Sequence, residues 1–182
     1  MKHLLTLWML ALCLCVSAKE TCPKVIPALQ EWKGGSGKLV LPAEGSIVVA
    51  PADEAALKSV ATVLAQDLKD LLDWNYTIRT GKPGKNDIYL SLMKPDKQLG
   101  EEGYVLTAGR YAGIEAPARQ GAFWGTRSLL QILYNEKGQL PKGVARDWPA
   151  ISQSWLHAGC GPQVLHNGFP CGNMSKYYRS IN

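Results

Sequence analysis

Two stretches of this chain carry apolar side chains at three- and four-residue steps, with short β-type runs around both. The first holds Leu57, Val60, Ala61, Leu64, Leu68, Leu71 and Leu72 on one helical face and Lys58, Gln66, Lys69 and Asp70 on the other. Pro51-Ala52-Asp53-Glu54 opens it, with acidic residues where the helix dipole favours them. The second runs from about Ala118 to Asn135, with Phe123, Leu129, Leu130, Leu133 and Tyr134 as its apolar positions. Gly121 and Gly125 lie one turn apart in it and would let a neighbouring backbone approach closely.

The runs between these helices read as strands. Leu39–Leu41 and Ile47–Val49 flank a Pro42–Gly45 turn, and Tyr76–Arg79 stops at Gly81. Ile88, Leu90 and Leu92 alternate, so Asp87–Met93 is a strand with one buried side. Tyr104–Leu106 and Ala112–Ala116 are expected to form an antiparallel pair turning near Gly109-Arg110. Residues 19–37 read as a lead-in, with Gly34-Gly35-Ser36-Gly37 as a flexible turn. Gly138 and Pro141 end the second helical unit, and Val144–Pro149 leads away. The expected class is α+β: a small antiparallel or mixed sheet with two helices packed on one face, over residues 19–150, followed by an irregular C-terminal tail.

Composition narrows the function classes. Charged residues are 19% and hydrophobic ones 46%, which is globular rather than disordered. Lys and Arg exceed Asp and Glu by only 20 to 15, spread along the chain, and this does not argue for nucleic acid. A length of 182 residues excludes a (β/α)8 barrel, which needs roughly 250 residues.

Lys2 and His3 precede an apolar run from Leu4 to Val16, and Val16-Ser17-Ala18 supplies small residues for cleavage. Residues 1–18 therefore read as a secretory signal peptide cut after Ala18, so the chain is expected to be exported to the periplasm or cell surface. The run is too short to span a bilayer comfortably. A lipid on Cys13 would require a small residue where Leu12 stands. Cleavage leaves Cys22, Cys160 and Cys171, an odd number and no complete disulfide framework. Cys160 and Cys171 could pair in an oxidising compartment. With His157 and His166 they fit none of the usual paired zinc spacings.

Most catalytic templates are missing. The sequence holds no Gly-x-Ser-x-Gly, no His-Glu-x-x-His and no dinucleotide fingerprint. Gly34-Gly35-Ser36-Gly37-Lys38 only superficially resembles a phosphate loop. Asp67, Asp70 and Asp73 form a carboxylate stripe that reads as a solvated helix face. Trp32, Trp74, Tyr76, Tyr104 and Trp124 could include a sugar-stacking platform, but large aromatics are usually core. No histidine lies between Ala18 and Trp155. No catalytic, cofactor-binding or metal-binding residue is assigned, and no cofactor is expected.

One segment is distinctive. Glu101-Glu102-Gly103-Tyr104-Val105-Leu106, then Ile114-Glu115-Ala116, then the run Gly121-Ala122-Phe123-Trp124-Gly125-Thr126-Arg127-Ser128-Leu129-Leu130-Gln131-Ile132-Leu133 resembles the domain preceding the catalytic barrel in bacterial β-N-acetylhexosaminidases of glycoside hydrolase family 20. Val25-Ile26-Pro27 is similar to that family's opening, and Arg146-Asp147-Trp148-Pro149-Ala150 to its linker before the barrel. The resemblance covers about residues 24–150. It implies a non-catalytic accessory domain, with glycans bearing terminal N-acetylhexosamine as substrates of the parent and the barrel of the same chain as partner. In the family an adjacent Asp-Glu pair in the barrel works with the substrate's own 2-acetamido group as nucleophile, a retaining mechanism. Asp53-Glu54 has the letters but opens the first accessory helix, so it is not carried over.

After Ala150 the resemblance stops, and Gly, Cys, His, Pro and Asn crowd residues 157–173. Moving the reading frame forward one base from Ile151 permits a run beginning Tyr-Pro-Ser-Arg-Gly-Phe-Met-Leu-Asp, similar to the family's first barrel strand. A second one-base shift near Pro170 permits its continuation. Residues 151–182 are therefore expected to be an out-of-frame reading of the barrel's start, leaving this chain inactive alone. The competing expectation is a secreted carbohydrate-binding or docking module, self-associating through an exposed apolar patch.

Overall fold

A computed structural model describes residues 22–149. The expected signal peptide, the tail, the frame shift, and Cys160, Cys171, His157 and His166 lie outside the described residues. Strands and helices follow in the order β1 (Glu31–Val40), β2 (Glu44–Val49), a 3-10 turn (Pro51–Asp53), α1 (Glu54–Leu72), β3 (Asn75–Thr80), β4 (Ile88–Leu92), β5 (Tyr104–Ala108), β6 (Ala112–Ala116), α2 (Arg119–Asn135) and β7 (Gln139–Asp147). They make one seven-stranded sheet in the order β1-β7-β5-β6-β4-β2-β3.

The sheet is mixed. β1, β7, β5 and β6 pair antiparallel in succession, whereas β6–β4, β4–β2 and β2–β3 are parallel. Parallel neighbours need a crossover, and α1 supplies it between β2 and β3. The α+β class with two helices on one face is as the periodicity implies. Ile47, Val49, Ile88, Leu90, Leu106, Ile114 and Ala145 point into one core with Leu57, Leu64, Leu68, Leu129 and Leu133 of the helices. Alternate residues such as Tyr89, Thr107, Glu115 and Arg146 lie on the opposite, helix-free face.

α1 starts differently from a side-chain-capped helix. The Asp53 side chain makes no cap bond; its Oδ2 instead accepts the Leu92 amide at 2.8 Å and ties the helix start to β4. At the other end Asp73 adopts a left-handed conformation (φ 57°), and the Asp73 and Trp74 amides close on Lys69 O and Leu68 O. Two apolar assignments are corrected. Leu71, in the last turn of α1, and Tyr134, turned away from the core beside the fully buried Leu133, are both exposed. Ile132 is buried in their stead on α2.

The lead-in and exit are corrected more substantially. Glu31–Val40 is a strand, and Gly34–Gly37 is a register irregularity within it rather than a free turn. Gln139–Asp147 is a strand between β1 and β5, although Pro141 suggested a stop. Pro141 is tolerated because β5 pairs only with Gly143–Asp147, so Pro141 has β1 as its one neighbour. This β1–β7 ribbon runs past the end of β5. There Leu41 N donates to Gly138 O at 3.1 Å, and Gly138 packs against the Trp74 ring.

Candidate functional site

The distinctive segment folds into the contact between α2 and the sheet. Tyr104 of β5, nearly inaccessible at 2%, donates its hydroxyl proton to Asp147 Oδ2 at 2.8 Å. Its single proton is then spent, so the Ser128 hydroxyl of α2 donates to Tyr104 Oη at 2.6 Å. Asp147 Oδ1 accepts the Gln30 amide at 3.1 Å. One small network thus joins β5, α2, β7 and the approach to β1. Burial pushes the Tyr104 hydroxyl well above the ordinary phenol range, so it stays protonated.

The glycines of the segment serve the same contact. A Cβ on Gly125 would lie 2.6 Å from Ile114 Cγ2, and one on Gly121 would strike the Gly103 carbonyl. Both positions need a bare backbone, as the one-turn spacing implied. Arg127 reaches from α2 to α1, where its Nη1 sits 2.5 Å from Asp67 Oδ2, and its guanidinium lies 4.7 Å from the Phe123 ring centroid. Ile26 N donates to Gln131 Oε1 at 2.9 Å, and Asn135 Nδ2 donates to Lys24 O at 3.1 Å, so α2 also holds the N-terminal strap.

The carboxylate stripe is dispersed. Asp67 is engaged with Arg127, Asp70 accepts from Gln66 at 2.8 Å, and Asp73 pairs with Lys69 beyond the helix end. The hydrogen bond and charge of Lys69 hold Asp73 below the usual carboxylate range. On the other face, the Leu99 and Gln98 amides, with Arg146 at 3.0 Å, hold Asp96 low. The aromatics are distributed in the same way. Tyr76 and Tyr104 are core, while Trp32, Trp74 and Trp124 are half-buried against it. Trp74 and Tyr76 stack on each other at 6.0 Å and 18°. A ring pair the sequence reading missed, Tyr89 and Tyr111, meets edge-on at 5.8 Å on the helix-free side. Its signal was the alternation in β4, which puts Tyr89 opposite Ile88 and Leu90.

Among the described residues no group of three His, Cys, Asp or Glu side chains is placed to hold a metal. Cys22 is exposed and unbridged. Two open hollows lie end to end between α1 and β3, of about 330 and 220 Å³, and both are lined by Ile78.

A sequence profile for glycosyl hydrolase family 20, domain 2, matches residues 22–148, nearly the whole described fold. The chain belongs to glycosyl hydrolase family 20. It is 34% identical over 136 residues to lacto-N-biosidase of Bifidobacterium bifidum, covering 73% of this chain and 12% of that protein. Among solved structures it is similar to the N-acetyl-β-hexosaminidase of Streptomyces plicatus in complex with Thio-NAglucal (TM-score 0.59, 25% identity, 73% of this chain and 28% of that one). The family 20 β-N-acetylhexosaminidase of Streptomyces coelicolor A3(2) shares the fold at TM-score 0.60 and 24% identity, again over 73% and 28%. The family 20 chain therefore spans well under a third of these relatives. Its distinctive segment is the docking seam of α2 on the sheet. No helix among the described residues is long and apolar enough to cross a membrane.

Proposed function

We propose that residues 22–148 are the non-catalytic accessory domain of a β-N-acetylhexosaminidase-type glycoside hydrolase. The parent would remove terminal β-linked N-acetylhexosamine from glycans by substrate-assisted retaining hydrolysis. The observation that carries this is the match of the family's second domain to nearly the whole described fold. The side chains add support. The motif that identifies the family is consumed in holding α2 to the sheet, and Asp67, Asp70 and Asp73 are engaged with Arg127, Gln66 and Lys69.

The test is an aryl N-acetyl-β-glucosaminide assay on the purified full chain. No chromophore release is expected, and release that copurifies with the chain overturns the reading. In the same proposal residues 1–18 direct export to the periplasm or cell surface. N-terminal sequencing of the exported protein should then begin at Lys19; retention of Met1 in the exported material would contradict it. Residues 151–182 are proposed to be an out-of-frame stretch. Resequencing from codon 145 onward should reveal extra bases near codons 151 and 170, and a clean reading would reject this.

A further inference from the structure

The two edges of the sheet are built differently. β1 carries the usual devices against edge pairing: a register irregularity between Gly34 and Lys38, and the lysines Lys33 and Lys38. β3 has fewer: its one charged residue, Arg79, is paired with Asp87. Its six residues run in unbroken register with β2, without Pro, Lys or bulge, and all but Tyr76 are exposed. Ile78 is 41% exposed there, an unusual place for a large aliphatic side chain.

The backbone of β3 is half used. Asn75 N donates to Ala43 O at 2.8 Å, and Gly81 N to Val49 O at 3.0 Å. Alternate residues of a strand present their polar groups to opposite neighbours, so Asn75, Thr77 and Arg79 serve β2. Tyr76, Ile78 and Thr80 direct their N–H and C=O groups to the edge, where no other strand lies among the described residues.

We propose that this edge joins two copies of the chain, β3 antiparallel to β3 about a twofold axis at Ile78. In that register Ile78 pairs with Ile78 of the second copy, and Tyr76 pairs with Thr80 of the second copy. Every outward donor and acceptor of the strand then finds a partner, and the two Ile78 side chains cover each other. Arg79 falls directly opposite Thr77; the two Arg79 side chains are diagonal neighbours, and each is already paired with Asp87 of its own copy.

Charge on the flanking helix selects a second copy over a foreign strand. α1 runs antiparallel to β3 beside the two hollows. Glu54 and Lys58 line the hollow at the Arg79–Thr80 end, and Gln66 and Lys69 line the one at the Asn75–Thr77 end. The twofold axis brings each end toward its opposite, so that Glu54 of one copy faces Lys69 of the other. An isologous interface requires this kind of self-complementarity. The proposal stands whatever the parent enzyme is.

Sedimentation velocity on the full chain, from low to high micromolar concentration, tests it. A reversible monomer–dimer equilibrium is expected. Ile78→Pro removes an outward N–H and leaves the β2 ladder untouched, so it should give monomer with an unchanged far-ultraviolet circular dichroism spectrum. Ile78→Lys provides the same test should the proline variant fold poorly. Glu54→Lys should weaken the dimer several-fold, and adding Lys69→Glu to the same chain should restore it. Monomer at every concentration overturns the proposal. So does a dimer indifferent to both Ile78 substitutions, or one weakened by Glu54→Lys that Lys69→Glu fails to restore.

Discussion

Gly125 is occupied, in effect, by Ile114, whose Cγ2 lies 2.6 Å from where a Cβ would stand. An alanine there gains up to about 1 kcal/mol in helix propensity. Overpacking the seam costs about 1–3 kcal/mol, so Gly125→Ala should be net destabilising in urea unfolding. Gly121→Ala should cost more, because it meets a backbone carbonyl rather than a side chain. Tyr104→Phe should lose about 1–3 kcal/mol, since Asp147 Oδ2 is left without its buried donor. The same variant bears on pH. Burial raises both Tyr104 and Tyr76 above their ordinary value. Their contribution is therefore fully present below pH about 10 and is lost as pH climbs from there toward the folded-state values. Thermal melts between neutral pH and strong alkali should show a declining limb that Tyr104→Phe flattens. A limb unchanged by that substitution would assign the alkaline loss elsewhere. At this scale the glycine spacing was readable, because a one-turn Gly pair has few other uses. The partners of Tyr104 were not, because Ser128 and Asp147 are remote in sequence.

The helices are the most legible elements, because burial against a flat sheet imposes a 3.6-residue period on whatever is buried. The stripe Leu57, Val60, Ala61, Leu64, Leu68 is buried as read. The period cannot show where the cover over a helix stops or how wide the buried face is, which is why Leu71 at the end of α1 and Tyr134 beside buried Leu133 were misassigned. The two helices are also tied to each other. Asp67 and Arg127 are each about three-quarters buried, so their pair is shielded more than a surface one. A double-mutant cycle with Asp67→Asn and Arg127→Met should give a coupling of about 0.5–1 kcal/mol. A coupling near zero would mean that Arg127 acts only through its Phe123 contact. β1 and β7 were the least legible elements. Gly34–Gly37, Pro141 and Gly143 are poor strand formers, and pairing with neighbours overrides that local preference.

For the molecule as a whole, the described fold has one core shared by both helices and the strands. A fragment of residues 22–149 should therefore fold alone, with a single cooperative urea transition, and limited proteolysis of the full chain should converge on it. A non-cooperative transition would mean that the domain depends on segments beyond these residues. Periodicity was enough to specify two helices, several strands and one buried face, because alternation and helical stripes are local records of burial. The motif Gly121–Leu133 was enough to point to the family. Which strands lie parallel, that β2 neighbours β3 and β4 while β1 closes the far edge, and that Tyr104, Ser128 and Asp147 converge were settled only in three dimensions. Strand order depends on crossovers and long-range contacts, which leave no periodic trace in the chain.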